Sequence, residues 1–450
     1  MRTFVVHEIR SVIVALRHNI IWASDRLDLP DIERPLIDAL KRCREKVAAH
    51  PYEDLSGFSA LDIVAPLLVV VRSPQASGPF TLAALRAIKS LLQRGALASH
   101  LVHAPDAANE VIEAVAACRF EQTDAQLDEV VLAELMDVLV CCIRGPLGQY
   151  VGDEAVWDAL QTCFVNRNLA VHSPMLNHIA ETALEDILCY LFHGLPSMLA
   201  ADDGDDTTAH DRSHGLPCLV KVFGFLCSQL LLTPPSDNRS AKANNENLRL
   251  LCLRLLRQII DISGPALGQV HSIVALVHDD LSRALLVMTE GGLPVEILSE
   301  ALGVIATLWR HLRFSLKIQF EALLNSTFLR VLHQLDEALR QPVAAEETLE
   351  PVALPSGYQV LEQEIIIEVL GDLMSDPHFL PDVLINYDCD VKRSDICGPL
   401  VRTLVGVILD AHQRSNAAAL QVLCLRALLN GVKGLTAGLD SQSAQAEPER

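Results

Sequence analysis

Apolar residues recur along nearly the whole chain at spacings of three and four, and no convincing stretch alternates apolar with polar residues. That period belongs to helices with one buried face and leaves no half-buried strands from which to build a sheet. Residues 3–23 set the pattern, with Val5, Ile9, Ile13, Leu16 and Ile20 on one side. Asp31 and Pro35 open a second helix that ends near His50-Pro51, and a third runs from about Ser59 to Arg72. Ser73 to Pro79 is a loop with a Gly stop and a Pro start before a helix over 80–94. The periodicity then predicts helices over about 123–143, 153–166, 174–193, 217–232, 244–262, 266–289, 294–311, 314–340, 358–375, 395–412 and 416–433.

The breaks between these helices repeat a theme. Gly145-Pro-Leu-Gly-Gln-Tyr150 has a near copy in Gly264-Pro-Ala-Leu-Gly-Gln-Val270, and Ser77-Gly78-Pro79 and Cys397-Gly398-Pro399 are shorter versions. Gly ending one helix and Pro starting the next is the punctuation of stacked helical hairpins. No strict repeat length emerges. The expected fold is all-α, an irregular armadillo- or HEAT-like helical solenoid.

Two polar stretches divide the chain. Residues 201–215 are acidic, with Asp202, Asp203, Asp205 and Asp206 beside His210 and His214. The spacing fits no calcium loop, so the stretch reads as a solvated linker rather than a metal site. It separates a domain over 1–200 from one over 216–440. Residues 341–357 form a second linker, and 441–450 read as a disordered tail.

Composition narrows the function. The 450 residues carry a formal net charge of −21, which argues against a general nucleic-acid binder. The only notable basic group is Arg310, His311, Arg313 and Lys317, whose plain reading is a salt-bridged helix face. No apolar run reads as a membrane span; the best candidate, Ile63 to Val71, is short and contains Pro66. Twelve scattered cysteines without a C-x-x-C pair read as reduced, mostly buried thiols in a cytosolic protein. No catalytic motif or clustered acid/base set is found, so catalytic, cofactor and metal residues are expected to be none.

The most informative stretch is Pro377 to Cys397. Pro377 and Pro381 favour a helix break and restart. Asn386 suits a left-handed residue ending a helix. Asp388, Asp390 and Ser394 can accept backbone N–H bonds at the next helix start. Tyr387, flanked by carboxylates, can lock two helices together. Cys389, between Asp388 and Asp390, is in a poor setting for a thiolate nucleophile. The bland reading is a well-capped turn.

Ile385-Asn386-Tyr387-Asp388-Cys389-Asp390 resembles the HUS box of the large Arf guanine-nucleotide exchange factors, most of all the Golgi-type brefeldin-A-resistance subgroup of the Sec-seven family. Other segments agree. Glu8, Ile9, Val12, Ala15, Asn19 and Trp22 resemble the first helix of that family's DCB domain, and Pro66, Arg72, Ser73, Gly78, Pro79, Thr81 and Leu85 resemble its next pattern. Arg119-Phe120, Thr123-Asp124 and Asp128 to Leu132 give the strongest match in that half. Leu308 to Arg313 and Leu316 to Glu321 resemble the helix before the box, whereas Val391-Lys392-Arg393 departs from what usually follows it.

The resemblance implies a DCB-like dimerisation and cyclophilin-binding type domain over 1–200 and a HUS-like domain over 216–440. It implies a non-catalytic regulatory and scaffolding role in self-association, Golgi membrane recruitment and control of exchange activity in vesicle trafficking and COPI coat assembly. Implied partners are a second copy, a downstream exchange domain, small GTPases of the Arf/Rab type and the peripheral Golgi membrane. The chain would be cytoplasmic and recruited to that membrane. The exchange chemistry resides in a Sec-seven-type domain with a glutamate loop, and no such loop occurs in these residues. Lys89 and Glu129 are candidates for a dimer face. Asn386, Tyr387, Asp388, Cys389 and Asp390 are candidates for an interaction site. The alternative is a helical-repeat adaptor that binds peptide or protein partners unrelated to Arf.

Overall fold

A computed structural model describes residues 1–23, 30–74, 76–97, 101–120, 125–168, 173–202, 214–232, 239–290, 292–340, 357–411 and 418–445. Among these there is no strand beyond isolated bridges such as Ser59–Val102, and the fold is the expected all-α solenoid. The chain divides into two compact units, Met1–Val222 and Phe223–Arg450.

The first unit is built from α1 (Arg2–Ala23), α2 (Pro30–Ala49), α3 (Ala60–Val71), α4 (Gly78–Gln93), α5 (Ala104–Ala116), α6 (Ala125–Arg144), α7 (Asp153–Asn168), α8 (Pro174–His193) and α9 (Leu195–Asp202). They pack as two rows. One runs α1, α4, α6, α8; the other runs α2, α3, α5, α7. Each hairpin therefore supplies one helix to each row, which is how helical repeats bury a continuous core. The core between the rows is aliphatic: Val5, Ile9, Ile63, Leu85, Ile88, Val111, Leu139 and Leu184 are fully enclosed.

Helix α10 (Leu216–Leu231) contains the division between the units. The second unit continues with α11 (Arg239–Ser263), α12 (His271–Leu276), α13 (Ser282–Thr289), α14 (Val295–Leu312), α15 (Lys317–Leu323), α16 (Arg330–Arg340), α17 (Gly357–Met374), α18 (Phe379–Val383), α19 (Cys397–Ala411) and α20 (Ala418–Gln445). Again one row is continuous, α11, α14, α17, α20, while α16 packs on α19 and α13 on α15.

Several expectations are corrected. No helix was expected over 104–116, yet α5 is a core element with Val111, Ile112 and Val115 buried. The helices expected over 266–289 and 314–340 are each interrupted by a π turn, at Val277–Leu281 and Leu324–Leu329. The last helix continues to Gln445, past the Ser441 at which a disordered tail was expected. Its Ala418–Gly438 part is long and apolar enough to cross a membrane, a candidate the sequence reading passed over for Ile63–Val71. Only 28% of that span is buried, but its buried side is tightly packed on α17 and the turn after it. Most of the acidic linker, including His210, and residues 341–356 lie outside the described residues. His214, assigned to that solvated linker, is instead buried, with Nδ1 3.3 Å from the carbonyl oxygen of Val151. Gly215 N donates to Asp153 Oδ1, so the chain is fixed on α7 before α10 begins.

The two Gly-Pro-rich breaks do the same job in both units. Gly148–Tyr150 and Gly264–Gln269 are short 3-10 turns. A Cβ on Gly148 would collide with the carbonyl oxygen of Ile143, and Gly264 has φ +54°, so both turns need glycine.

A carboxylate-locked turn as the candidate functional site

After α17, the chain reverses through Ser375 to His378 and enters α18. This short helix widens into a π turn over Leu384–Asp388 instead of continuing in α geometry. Asn386 therefore does not take the left-handed conformation expected of it. Its Nδ2 donates to Asp382 O at 2.8 Å, satisfying a carbonyl of its own helix.

Tyr387 is 2% exposed, and its hydroxyl donates to Lys317 O at 3.0 Å, joining this turn to the start of α15. Burial and then the Glu321 carboxylate push its phenol up to about 12, so it remains a neutral donor. This is the helix lock that the sequence suggested.

Asp388 caps α19 from a distance. Oδ1 accepts from Ile396 N at 2.7 Å and Cys397 N at 2.9 Å, and Oδ2 accepts from Gly398 N at 2.9 Å. Desolvation works against its charge, but the N–H groups of Ile396, Gly398 and Cys397 together outweigh it. They hold the carboxyl below the usual carboxylate range. The first N–H groups of a helix lack intrahelical partners, and a negative charge there also suits the helix dipole. Asp390 closes a smaller turn, with Oδ1 accepting from Lys392 N at 3.0 Å.

Ser394, expected as a cap, turns instead to Glu321 on α15. Its N and Oγ donate to Glu321 Oε1 at 2.9 and 2.6 Å, and Arg393 Nη1 donates to Oε2 at 2.7 Å. Asn325 Nδ2 donates to Ser394 Oγ at 3.0 Å. The Ser394 hydroxyl and N–H, then Arg393, hold Glu321 below the usual carboxylate range. Glu321 is thus the residue that sequence reasoning missed, although it stands in the Leu316–Glu321 segment that resembles the family's helix before the box.

Three of the four members of the basic group, Arg310, His311 and Arg313, approach carboxylates of the same chain. Arg310 and His311 approach Asp261 Oδ1 at 3.4 and 3.3 Å. Arg313 Nε is 2.8 Å from Asp382 Oδ2, a close ion pair whose N–H does not point along the contact. Trp309 stacks edge-on against Phe320 and Phe379, with ring centroids 5.0 and 4.9 Å away.

The outward side of the turn is mixed, with Asp390, Lys392, Ser394 and Asp395 exposed beside its apolar residues. Ile385 and Val391 are 64% and 103% exposed, and Leu384 and Cys389 are exposed beside them. The turn therefore joins a set of fixed polar bonds to a mixed outer surface that includes exposed Leu384, Ile385 and Val391.

In the first unit, Lys89 on α4 donates to Asp137 Oδ2 and pairs with Glu134 Oε1 on α6, at 2.8 and 2.9 Å. Glu129 on α6 accepts from Ser173 N at 2.9 Å and from Ser173 Oγ at 2.6 Å, next to the start of α8. Both candidates thus tie together neighbouring members of the α4, α6, α8 row.

Residues 215–396 match the family described as Mon2/Sec7/BIG1-like, HUS domain, a span that ends where the locked turn ends. Along most of its length the chain is similar to the large Arf guanine-nucleotide exchange factors. It is 23% identical over 95% of its length to ARF guanine-nucleotide exchange factor GNOM of Arabidopsis thaliana, covering 33% of that protein. It is 22% identical over 89% of its length to ARF guanine-nucleotide exchange factor 1 of Saccharomyces cerevisiae, covering 31%. A Golgi-specific brefeldin A-resistance factor homolog of Caenorhabditis elegans is 30% identical over 32% of the chain and 7% of that relative. The chain spans about a third of the length of the first two relatives.

Proposed function

We propose that this chain is the regulatory and scaffolding region of an Arf exchange factor, acting through protein contacts rather than through chemistry of its own. The HUS turn presents Leu384, Ile385 and Val391 to a protein partner, and the Asp388, Tyr387 and Glu321 bonds hold that surface in one geometry. The supporting observation is that one turn combines fixed polar bonds with the exposed apolar side chains of Leu384, Ile385 and Val391. On this reading the turn contacts the exchange domain and sets exchange on Arf-type GTPases at Golgi membranes, upstream of coat assembly. The 1–200 domain mediates self-association, with Lys89 and Glu129 at or beside the dimer face.

The test adds the purified 450-residue chain to the exchange domain of a relative and follows nucleotide release from Arf–GDP. The chain alone leaves release at background. Added in trans it changes the exchange domain's rate by at least about twofold, and Ile385→Ser with Val391→Ser abolishes that change without lowering the melting temperature. An unchanged rate with the wild-type chain defeats the regulatory reading. Roughly tenfold acceleration by the chain alone, about 1.4 kcal/mol of barrier, defeats the non-catalytic one.

A further inference from the structure

Helix α20 closes the continuous row of the second unit, and its two sides differ sharply. Leu420, Cys424, Ala427, Gly431 and Gly434 face inward and are buried. On the opposite side Val422, Leu425, Leu429 and Val432 are 63%, 56%, 52% and 59% exposed. Their intervals are three, four and three, and exposed Thr436 continues the series. That is a heptad seam of the kind that takes the knobs of a second helix, and it is narrower than the broad apolar face of a helix lying in a bilayer. Helix α19 packs alongside, Gln421 Nε2 donating to Ile408 O, and it too exposes apolar residues, Val405 and Leu409. Both helices of this hairpin thus expose apolar side chains outside the core of the second unit.

Charge says what kind of helix fits. The chain has a net charge of −21, yet residues 397–409 and 418–438 contain no Asp or Glu. Their exposed charges are Arg402, Arg426 and Lys433, and no ion pair joins these to a described carboxylate, although Arg426 lines a small crevice with Glu368 and Asp372 of α17. Lys433 and Arg426 follow the seam residues at one heptad position, where interhelical partners are chosen by charge. A second copy laid antiparallel would set these cations against their own counterparts.

We infer that the α19–α20 face is a docking site for an amphipathic helix with heptad-spaced apolar residues and acidic flanks. The site lies beyond residues 215–396, the span of the HUS match. The cations select the partner, and the seam supplies the buried area.

The probe is a fluorescent synthetic three-heptad peptide with Leu at the seam and Glu on its flanks, titrated into the full chain by anisotropy. A peptide with Lys flanks is the control. The Glu peptide binds saturably and at least roughly tenfold more tightly than the Lys peptide. Leu425→Ser with Leu429→Ser weakens it by roughly tenfold or more, with the melting temperature unchanged because both side chains are already more than half exposed. Lys433→Glu with Arg426→Glu reverses the preference between the peptides. The inference is overturned if neither peptide binds, or if both bind equally. It is also overturned if the Leu425/Leu429 variant loses instead the chain's flotation with phosphatidylserine vesicles, or its dimerisation. Those outcomes would assign the face to a membrane or to a second copy.

Discussion

Three backbone donors at the entry to α19 depend on the single carboxylate of Asp388. Asp388→Ala should cost about 1–3 kcal/mol, from a lost cap and charged hydrogen bonds, measured by urea unfolding; a change under about 0.5 kcal/mol would refute the capping role. The same carboxylate predicts a pH dependence. Asp388 and Glu321 both titrate lower in the folded chain than in the unfolded one. Their stabilisation is therefore complete above the unfolded carboxylate value of about 4 and is lost as pH falls through the folded values. The stability gap between wild type and an Asp388→Asn, Glu321→Gln variant should be wide at neutral pH and narrow in acid. A gap of constant width would sink the assignment. Tyr387 behaves differently, because its phenol is uncharged throughout this range. Tyr387→Phe removes one hydrogen bond worth about 1 kcal/mol, whereas Tyr387→Ala empties a core site at about 3–5 kcal/mol. Only the first isolates the link to Lys317.

At the scale of elements, α20 meets α17 and the turn after it through glycines. A Cβ on Gly434 would lie 2.8 Å from Met374 O and 3.2 Å from the carbonyl oxygens of Ser375 and Asp376. A Cβ on Gly438 would meet only ordinary contacts, the nearest Pro377 O at 3.4 Å. Ala in place of Gly gains about 1 kcal/mol in a helix interior, so Gly438→Ala should be neutral or stabilising. Gly434→Ala should lose roughly 1–3 kcal/mol to overpacking. Thermal melts of the pair decide it, and equal shifts would refute the close approach. Glu129→Ala should likewise loosen α8, and its melting temperature must be read before any dimer assay on that residue. The sequence revealed most of these helices, because a buried stripe repeats every turn. It concealed α5, whose inward face includes Ala104, Ala107, Ala108 and Ala114, since small residues give a weak apolar signal. It also concealed the π turns: one extra residue lengthens a single interval of the stripe by one position, about 100° of turn, while the intervals on either side stay at three and four. Asp388 could be read as a cap because its partners lie within ten residues, whereas Glu321 meets Ser394 across 73. No local pattern encodes that pairing.

For the whole molecule, stacked rows mean that each helix answers chiefly to its neighbours. Within the second unit, Asp388→Ala should raise hydrogen exchange in α18, α19 and their contacts α16 and α20, leaving α11 near its wild-type protection. A uniform rise along the unit would show a single cooperative block instead. The thiols provide a different kind of handle on the same surface. All twelve cysteines are free; eight are buried, three are half-buried and Cys389 is exposed. Burial pushes Cys43 and Cys118 up to about 11 and Cys163 and Cys424 up to about 12, which suppresses their thiolates at neutral pH. A brief treatment of the native chain with a maleimide dye should therefore place one fluorophore on the HUS turn, without any engineered residue. The protein would carry its own reporter beside Ile385 and Val391, so that arrival of a partner at that surface reads out directly as a change in emission.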